Sequence, residues 1–343
     1  MGEIWKNPET DKRTPDNSFD TQKSPESERT MWDLFKDDFD SHEQCTEKLS
    51  NEISDKIDAD HEMEGLFADD YMENGKDTTD NGEQQEDFDL TKQYEPNCTY
   101  DVNGKTYETD DNGYVYKVDG YELRPDCEYT IDGVTYKTDS LGRIISCDGK
   151  AKSTPEGERD NRAQAMAGGE DRKPGDQGGH ILARIFGGAK GIENMLAMRG
   201  TAINQSVYKR MENRIAEAIA PPPDGKNVDV HVDVEYEGDS QRPSKITVNY
   251  TIDGKETVVQ YDNDEGSIDL VDSLEGKIED EDLNDLKQEI QDANEDGANM
   301  SVVSVKTEYD ENGNIEKVTV TIRDENSDHP VNEDRVFTPK EET

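Results

Sequence analysis

The chain has 343 residues, and its 38 Lys and Arg against 83 Asp and Glu give a formal net charge of −45. Hydrophobic residues make up 30% and charged residues 35%, a balance that predicts an acidic, partly folded protein and argues against nucleic-acid binding through bulk positive charge. No run of about 18 apolar residues is present, so we expect no membrane span, and the N-terminal sequence lacks the apolar stretch of an ordinary secretory signal.

Residues 1–90 are predicted to form an acidic, largely disordered arm. They contain nine Lys and Arg against 28 Asp and Glu, which leaves little apolar surface to bury. A partner-docking segment that folds on binding is the functional alternative. Two sets of apolar residues at helical spacing allow one or two short amphipathic helices: Trp32, Phe35 and Phe39, then Leu49, Ile53 and Ile57.

Residues 95–150 contain an internal repeat of 29 residues, in which EPNCTYDVNGKTYETDDNGYVYKVDG aligns with RPDCEYTIDGVTYKTDSLGRIISCDG. Asn103-Gly104 in the first copy matches Asp132-Gly133 in the second. Such dipeptides between alternating apolar residues are typical of tight β-hairpins. Each copy is therefore predicted to be a small β-meander, and because two copies are too few for a solenoid, we expect them to pack on a neighbour.

The cysteines leave two interpretations open. A Cys98–Cys127 or a Cys127–Cys147 disulfide is possible in an oxidising compartment, but duplication of the repeat explains the matched positions equally well. No Cys-x-x-Cys spacing is present among the four cysteines, so a zinc ribbon is not expected.

Residues 151–220 differ from the rest, with 11 Lys and Arg against nine Asp and Glu and a Gly-rich run, DQGGHILARIFGG. They are predicted to end in an amphipathic helix, before PPPDG at 221–225 interrupts the chain. The buried stripe of this helix is expected to contain Ile203, Val207, Met211, Ile215 and Ile219.

The C-terminal part is predicted to contain strands and one acidic helix. Apolar residues alternate from Val228 to Tyr236 and from Ile246 to Ile252, which predicts two half-buried strands. An acidic helix with Leu283, Leu286 and Ile290 on one face follows, and then a hairpin with Asn312-Gly313 at its tip.

Three residues are candidates for chemistry. His180 follows Gly178-Gly179, and a glycine pair leaves room for a ligand to approach the backbone, although a histidine at a turn is the simpler interpretation. Asn204 and Glu212 lie two turns apart on the predicted helix. Their structural alternatives are an N-cap for Asn204 and an ion pair with Lys209 for Glu212. Of the other histidines, His231 falls on the polar side of the predicted strand, and three are expected to be solvated: His42, His61 and His329.

Taken in order, these segments resemble the DNA/RNA non-specific endonucleases of the ββα-metal (His-Me finger) class, in particular the bacterial branch of nuclease toxins and competence nucleases. The likeness covers about residues 127–263. It rests on the following order of motifs: Asp176-Gln177-Gly178-Gly179-His180, Phe186-Gly187-Gly188, Asn194, and Asn204 with Glu212.

The resemblance implies roles for these residues. His180 would take a proton from the attacking water, Asn204 would bind Mg²⁺ (or Mn²⁺) directly, and Glu212 would hold a metal-bound water. Asp176 would orient the strand of His180, and Asn194 would position the loop or the phosphate. Many members have Arg where Gln177-Gly178 stands here, so the positive charge is expected from Arg184 or Arg162.

The predicted function is therefore a metal-dependent nuclease acting on DNA or RNA, secreted as an antibacterial toxin and matched by a cognate immunity protein. Local attraction of nucleic acid would depend on Arg172, Lys173, Arg184, Lys190, Arg199, Lys209, Arg210 and Arg214. The acidic segments 1–90 and 264–343 are predicted to fold away from the cleft or to mimic DNA and restrain activity. The alternative function is an acidic extracellular binding module with an inactive nuclease-like core, and a specific HNH-type enzyme is a third, less favoured option.

The predicted fold is α+β, with a mixed antiparallel sheet around a ββα-metal nuclease core. His180 is expected on or beside a hairpin, the helix over 203–220 across it, and the repeat hairpins and C-terminal strands at the sheet edges. The predicted domains are an arm over 1–90, a first repeat over 91–126, a nuclease domain over 127–263, and a helix plus hairpin over 264–343.

Overall fold

The computed structural model describes residues 88–155, 160–219 and 225–340, and these form an α+β protein dominated by antiparallel sheet. The predicted arm over 1–90 lies almost wholly outside the described residues. Its candidate helices, His42 and His61 lie there as well. No helix in the described ranges is long and apolar enough to cross a membrane.

The first repeat forms a four-stranded sheet of its own. Asn103 and Gly104 have φ values of 53° and 76°, the left-handed conformation that a tight hairpin turn between the first two strands requires. The order β1-β2-β3-β4 follows the chain, and the strands are β1 (Thr99–Val102), β2 (Lys105–Thr109), β3 (Val115–Val118) and β4 (Glu122–Leu123).

The second repeat begins a nine-stranded antiparallel sheet. Its order is β15-β14-β13-β12-β11-β10-β7-β6-β5, so the second repeat lies at one edge and the C-terminal strands at the other. The strands are β5 (Glu128–Ile131), β6 (Val134–Thr138), β7 (Ile144–Lys150), β10 (Val228–Tyr236), β11 (Pro243–Ile252), β12 (Lys255–Asp262), β13 (Met300–Tyr309), β14 (Ile315–Asp324) and β15 (Asn332–Phe337).

The expectation that both repeats extend one sheet is therefore correct only for the second copy. The third strand of that copy, β7, pairs with β10 through Cys147 and Val232. The corresponding strand of the first copy, β3, pairs instead with the short strand β4. Since β4 takes up that edge of β3, the first copy stays a separate sheet.

The chain between β7 and β10 forms a third, two-stranded sheet and most of the helical structure. In it, β8 (Asp176–His180) pairs with β9 (Met195–Arg199), and a π-helical turn (Gly200–Val207) then continues into α2 (Tyr208–Ala218). Helix α1 (Asn161–Met166) precedes β8, and short 3₁₀ turns cover Gly169–Asp171, Arg184–Phe186 and Ile192–Asn194.

Two apolar cores hold these layers together. The predicted helical stripe from Ile203 to Ile219 is buried in the larger core, together with the inward-facing valines of β10. A 3₁₀ turn (Asp269–Leu274) and α3 (Asp280–Glu295) form the smaller core with β13 and β14. Strand β13 contributes to both cores, with Val303 in the larger and Val302 in the smaller one. The C-terminal segment thus belongs to the same sheet as the strands before it.

The two cysteines of the second repeat carry free thiols. Neither predicted pairing, Cys98–Cys127 or Cys127–Cys147, is formed. Cys147 lies in the larger core, where burial raises the pKa of its thiol to about 12. The matched positions of Cys98 and Cys127 are therefore not explained by a bond between the two.

Candidate active site

His180 lies at the end of β8, next to two glycines that allow close packing. A Cβ atom at Gly178 would lie 2.5 Å from the Cα of Gln164 in α1. A Cβ at Gly179 would lie 2.6 Å from Oδ1 of Asn204. Both distances are shorter than any side chain tolerates, so the glycine pair lets α1 and Asn204 approach this strand.

Asn204 reaches the strand of His180 from the π-helical turn. It lies inside the helical segment that begins at Gly200, so it does not serve as the N-cap. Its Nδ2 donates a hydrogen bond to Oε1 of Gln177 over 3.0 Å, while its Oδ1 lies beside Gly179. Short π-helical stretches inside helices are frequent at functional sites, and here the stretch places a carboxamide next to β8.

Glu212 lies on α2, on the same side as Asn204. Its carboxylate accepts a hydrogen bond from Nζ of Lys209 over 3.0 Å, so the ion pair expected from the spacing is present. The side chain is nevertheless only 15% exposed. Burial raises the pKa of Glu212, and the nearby Lys209 ammonium offsets this only in part.

Tyr208 connects the helix to the strand of His180. Its hydroxyl donates to the carbonyl oxygen of Ile181 over 2.6 Å, and its ring is buried in the larger core. Since Ile181 directly follows His180, this bond fixes the start of α2 relative to the imidazole.

These elements enclose one cleft of about 490 Å³. It contains an imidazole, a carboxylate, two cationic side chains and four amide side chains, which suits a polar, charged ligand better than an apolar one. The residues that line it are Gln164, Gln177, Gly178, Gly179, His180, Ala183, Arg184, Ile185, Asn204, Gln205, Lys209 and Glu212.

The oxygen atoms of the cleft fit a hard divalent cation. Within residues 88–155, 160–219 and 225–340, no three His, Cys, Asp or Glu side chains form a complete ligand set. The cleft offers the amide oxygen of Asn204 and the carboxylate of Glu212 instead. Mg²⁺ accepts such a set because it prefers oxygen ligands and keeps several of its waters.

Residues 125–254 match the family model described as DNA/RNA non-specific endonuclease. That range includes every residue lining the cleft. The chain carries a DNA/RNA non-specific endonuclease domain.

Proteins of Staphylococcus aureus are similar to part of this chain. The type VII secretion system protein EssD of strains USA300 and NCTC 8325 and the type VII secretion systems protein EssD of strain Newman are each 37% identical to this chain over 111 residues. The match covers 31% of this chain and 18% of the length of each relative.

Asp176 supports the endonuclease site from the far end of β8 and does not line the cleft. Its carboxylate accepts hydrogen bonds from Nε and Nη2 of Arg242, over 2.7 and 3.2 Å, in a buried ion pair. Arg242 also donates to the carbonyl of Asn263, whose amide donates to that of Ala197 on β9. Asp176 thus ties β8 to the large sheet.

Asn194 is fully buried and also lies outside the cleft. Its side chain accepts a hydrogen bond from the amide of Leu182 and donates to the carbonyls of Leu182 and Ala189. A Cβ at Gly188 would lie 2.7 Å from its Nδ2, which accounts for the second glycine of Phe186-Gly187-Gly188. Asn194 therefore holds the loop after His180 and is not placed to touch a phosphate.

Two arginines were predicted to supply positive charge near the endonuclease site. Arg184 lines the cleft. The guanidinium of Arg162 instead lies over the ring of Tyr121, 4.4 Å from its centroid, in a cation–π contact with the first repeat. Only Arg184 is therefore placed at the cleft.

Most of the other predicted basic residues bind partners within the protein. Arg210 forms a bidentate pair with Asp334, at 2.7 and 3.0 Å, and Arg214 lies 2.8 Å from Glu308. These carboxylates belong to β15 and β13, so the C-terminal strands neutralise one face of α2. The remaining pairs are Lys173 with Asp264, Arg199 with Glu325, and Arg172 with backbone carbonyls of the segment 164–176.

Some residues of the site were missed by the sequence reasoning. Gln164 and Gln205 line the cleft, but glutamine carries no charge and neither residue belongs to a motif that would single it out. Arg242 directly precedes β11, and no sequence pattern singled it out. Its buried pairing with Asp176 spans 66 residues of sequence, and no local periodicity reports such a contact.

The other described histidines lie away from the cleft. His231 projects from the polar face of β10, as predicted, but it lies between two carboxylates, 2.6 Å from Asp148 and 3.0 Å from Asp233. Partial burial alone would lower the pKa of His231, but these carboxylates raise it overall. His329 is exposed near the C-terminus.

Proposed function

We propose that this domain is a metal-dependent, sequence-non-specific endonuclease that hydrolyses phosphodiester bonds of DNA or RNA. The observation that carries the proposal is the meeting of His180, Asn204 and Glu212 at one cleft, from a strand, a π-helical turn and an α-helix. Strands β8 and β9 and the helical segment after them follow in the strand, strand and helix order of the ββα-metal class that the sequence resembles. An enzyme of this kind contacts the sugar-phosphate backbone, so it needs no element that reads bases.

His180 acts in this proposal as the general base. Its imidazole lines the cleft and takes a proton from the water that attacks phosphorus. The strand of His180 is held by Asp176 at its start, and the chain after it by Tyr208 and Asn194. A base held in this way does not have to be ordered during the reaction.

Asn204 and Glu212 hold the divalent ion in this proposal. The amide oxygen of Asn204 would bind it directly, and the carboxylate of Glu212 would bind it through a water. When bound, Mg²⁺ (or Mn²⁺) would supply charge stabilisation at the oxygens of the reacting phosphate. Arg184, on the same cleft wall as His180, holds the phosphate by charge.

The proposal also includes secretion and toxicity. The relatives are named as type VII secretion system proteins, and we propose the same route for this chain, with another bacterium as the target. A nuclease of this kind requires protection of the producing cell, so we expect a cognate immunity protein that covers the cleft.

The test is digestion of plasmid DNA and of RNA by the full chain, with Mg²⁺ and with EDTA. We expect cleavage that requires the metal and that His180→Ala abolishes. His231→Ala, which changes an exposed histidine on β10, is the matched control and should cleave like the wild type. Absent or chelator-insensitive cleavage contradicts the proposal and favours the binding-module alternative.

A further inference from the structure

The side chain of Asn204 is held by a neighbouring amide. Gln177 lies on β8, three residues before His180, and pairs with Met198 of β9. Its Oε1 accepts the hydrogen bond from Nδ2 of Asn204 over 3.0 Å, and both side chains line the cleft. The bond joins the strand to the π-helical turn across 27 residues of sequence.

Two glycines make the space for this amide pair. A Cβ at Gly200 would lie 2.9 Å from both Cδ and Nε2 of Gln177, and a Cβ at Gly179 would lie 2.6 Å from Oδ1 of Asn204. The two amides are therefore packed against bare backbone on β8 and at the start of the π-helical turn. Packing of this kind fixes both side chains in one arrangement.

The direction of the bond decides which atom Asn204 can offer to a ligand. A carboxamide has an acceptor oxygen on one side and a donor NH₂ on the other, and the two are nearly equal in shape. A cation binds the oxygen and is repelled by the NH₂ group. With Nδ2 engaged by Gln177, the NH₂ group is turned toward the strand residue and Oδ1 is the atom left beside Gly179.

We infer that Gln177 is a positioning residue that holds the amide oxygen of Asn204 toward the divalent cation, an inference that rests on the proposed function. Without the acceptor at position 177, Asn204 can turn its amide over and present NH₂ to the cation. Groups that orient a metal ligand in this way typically change metal affinity about 10- to 100-fold when removed.

Two substitutions at Gln177 separate this role from simple packing. Gln177→Leu keeps a similar volume but removes the acceptor, and Gln177→Glu keeps an acceptor for Nδ2. Gln288→Leu, on the solvent-exposed side of α3, makes the same chemical change far from the cleft and serves as the control. Thermal melting in EDTA compares the folding of all three variants.

The main readout is direct binding of Mn²⁺ to the full-length protein, measured by electron paramagnetic resonance without substrate. We expect Gln177→Leu to weaken Mn²⁺ binding about 10- to 100-fold, and Gln177→Glu and Gln288→Leu to bind at least as tightly as the wild type. In plasmid cleavage, the Mg²⁺ concentration for half-maximal rate should rise in the same proportion for Gln177→Leu, with a much smaller change in the rate at saturating Mg²⁺.

A double-mutant cycle with Asn204→Asp gives the decisive comparison. A carboxylate presents oxygen in either orientation, so Gln177→Leu should weaken Mn²⁺ binding by less than about threefold in that background. The inference is overturned if Gln177→Leu binds Mn²⁺ like the wild type, if Gln177→Glu binds as weakly as Gln177→Leu, or if the loss is the same beside Asn204→Asp. A wild-type protein that binds no Mn²⁺ refutes the proposed function as well, which distinguishes the two failures.

Discussion

Lys117 forms a buried ion pair between the first repeat and the endonuclease domain, and its removal should be costly. Its ammonium lies 3.0 Å from Oε2 of Glu193 and 2.9 Å from Oε2 of Glu108. The side chains of Lys117 and Glu193 are only 9% and 6% exposed. Burial alone would lower the pKa of Lys117, but the two carboxylates hold it above its usual value, so Lys117 is charged at neutral pH.

The size of the stability loss depends on the two carboxylates that Lys117→Met leaves without their cation. Glu108 is 27% exposed and can regain water, whereas Glu193 is enclosed and keeps the hydrogen bond from the amide of Gly191 over 2.9 Å. Removing one partner of a buried pair costs about 3–5 kcal/mol, because the other charge is left uncompensated. We therefore expect Lys117→Met to lower the free energy of unfolding by about 3–5 kcal/mol.

Urea denaturation followed by circular dichroism measures this loss. Lys137→Met is the matched control, since Lys137 pairs with Glu128 in the second repeat with both side chains largely exposed, and the expected cost is below about 1 kcal/mol. Adding Glu193→Gln to Lys117→Met should recover most of the stability, because it removes the buried charge. A loss no larger for Lys117→Met than for Lys137→Met would refute the reasoning.

Three further changes test other parts of the structure. Asp334→Asn frees Arg210 from its carboxylate and should raise the cleavage rate at low salt, with a smaller gain at high salt; Asp285→Asn on α3 is the control, and equal rates for both variants would show that Asp334 restrains nothing. The raised pKa of His231 contributes stability below the unfolded-state value near 6.5 and loses it as the pH rises through the folded-state value. His231→Asn should therefore lower the melting temperature at about pH 6 and leave it unchanged at high pH, and a difference that persists at high pH would contradict this. Glu212→Gln should abolish cleavage yet melt at a higher temperature than the wild type at neutral pH in EDTA, because the raised pKa of Glu212 means that its charged form destabilises the fold. The difference in melting temperature between Glu212→Gln and the wild type should disappear as the pH falls toward 4.5. A lower melting temperature for Glu212→Gln at neutral pH would contradict the burial argument.

Local sequence signals predicted the elements of the fold well. Asn103-Gly104 and Asp132-Gly133 specify hairpins because their backbones adopt positive φ readily, and the alternation from Val228 to Tyr236 specifies a strand with one buried face. The stripe from Ile203 to Ile219 predicted the buried face of α2. Each of these features is encoded within about ten residues of chain, so the sequence reports it directly.

Pairings across long stretches of sequence were not predictable in the same way. A repeat joins the large sheet only if the free edge of its third strand pairs with a strand of that sheet. In the first copy, the short strand β4 occupies this edge of β3. The neutralising contacts of Arg210 and Arg214 with the C-terminal strands depend on the sheet order. A count of charges along residues 151–220 therefore overstated the cationic surface.

Residue type alone also could not separate cleft residues from supporting residues. Asp176 and Asn194 belong to the same motif series as His180, but the structure buries both in contacts that hold backbone.

The position of the cleft along the chain has a consequence for how this protein can change. Strands β7 and β10 are neighbours in the large sheet, with Lys150 paired to Asp229, so all residues between them form one excursion that leaves and re-enters the sheet at adjacent points. The scaffold needs those two anchoring ends and an apolar stripe that covers the inward-facing valines of β10. An excursion of another length or chemistry that covers those valines could be grafted between Lys150 and Asp229 with every ladder of the sheet kept, which makes the segment that lines the cleft an exchangeable part of the fold.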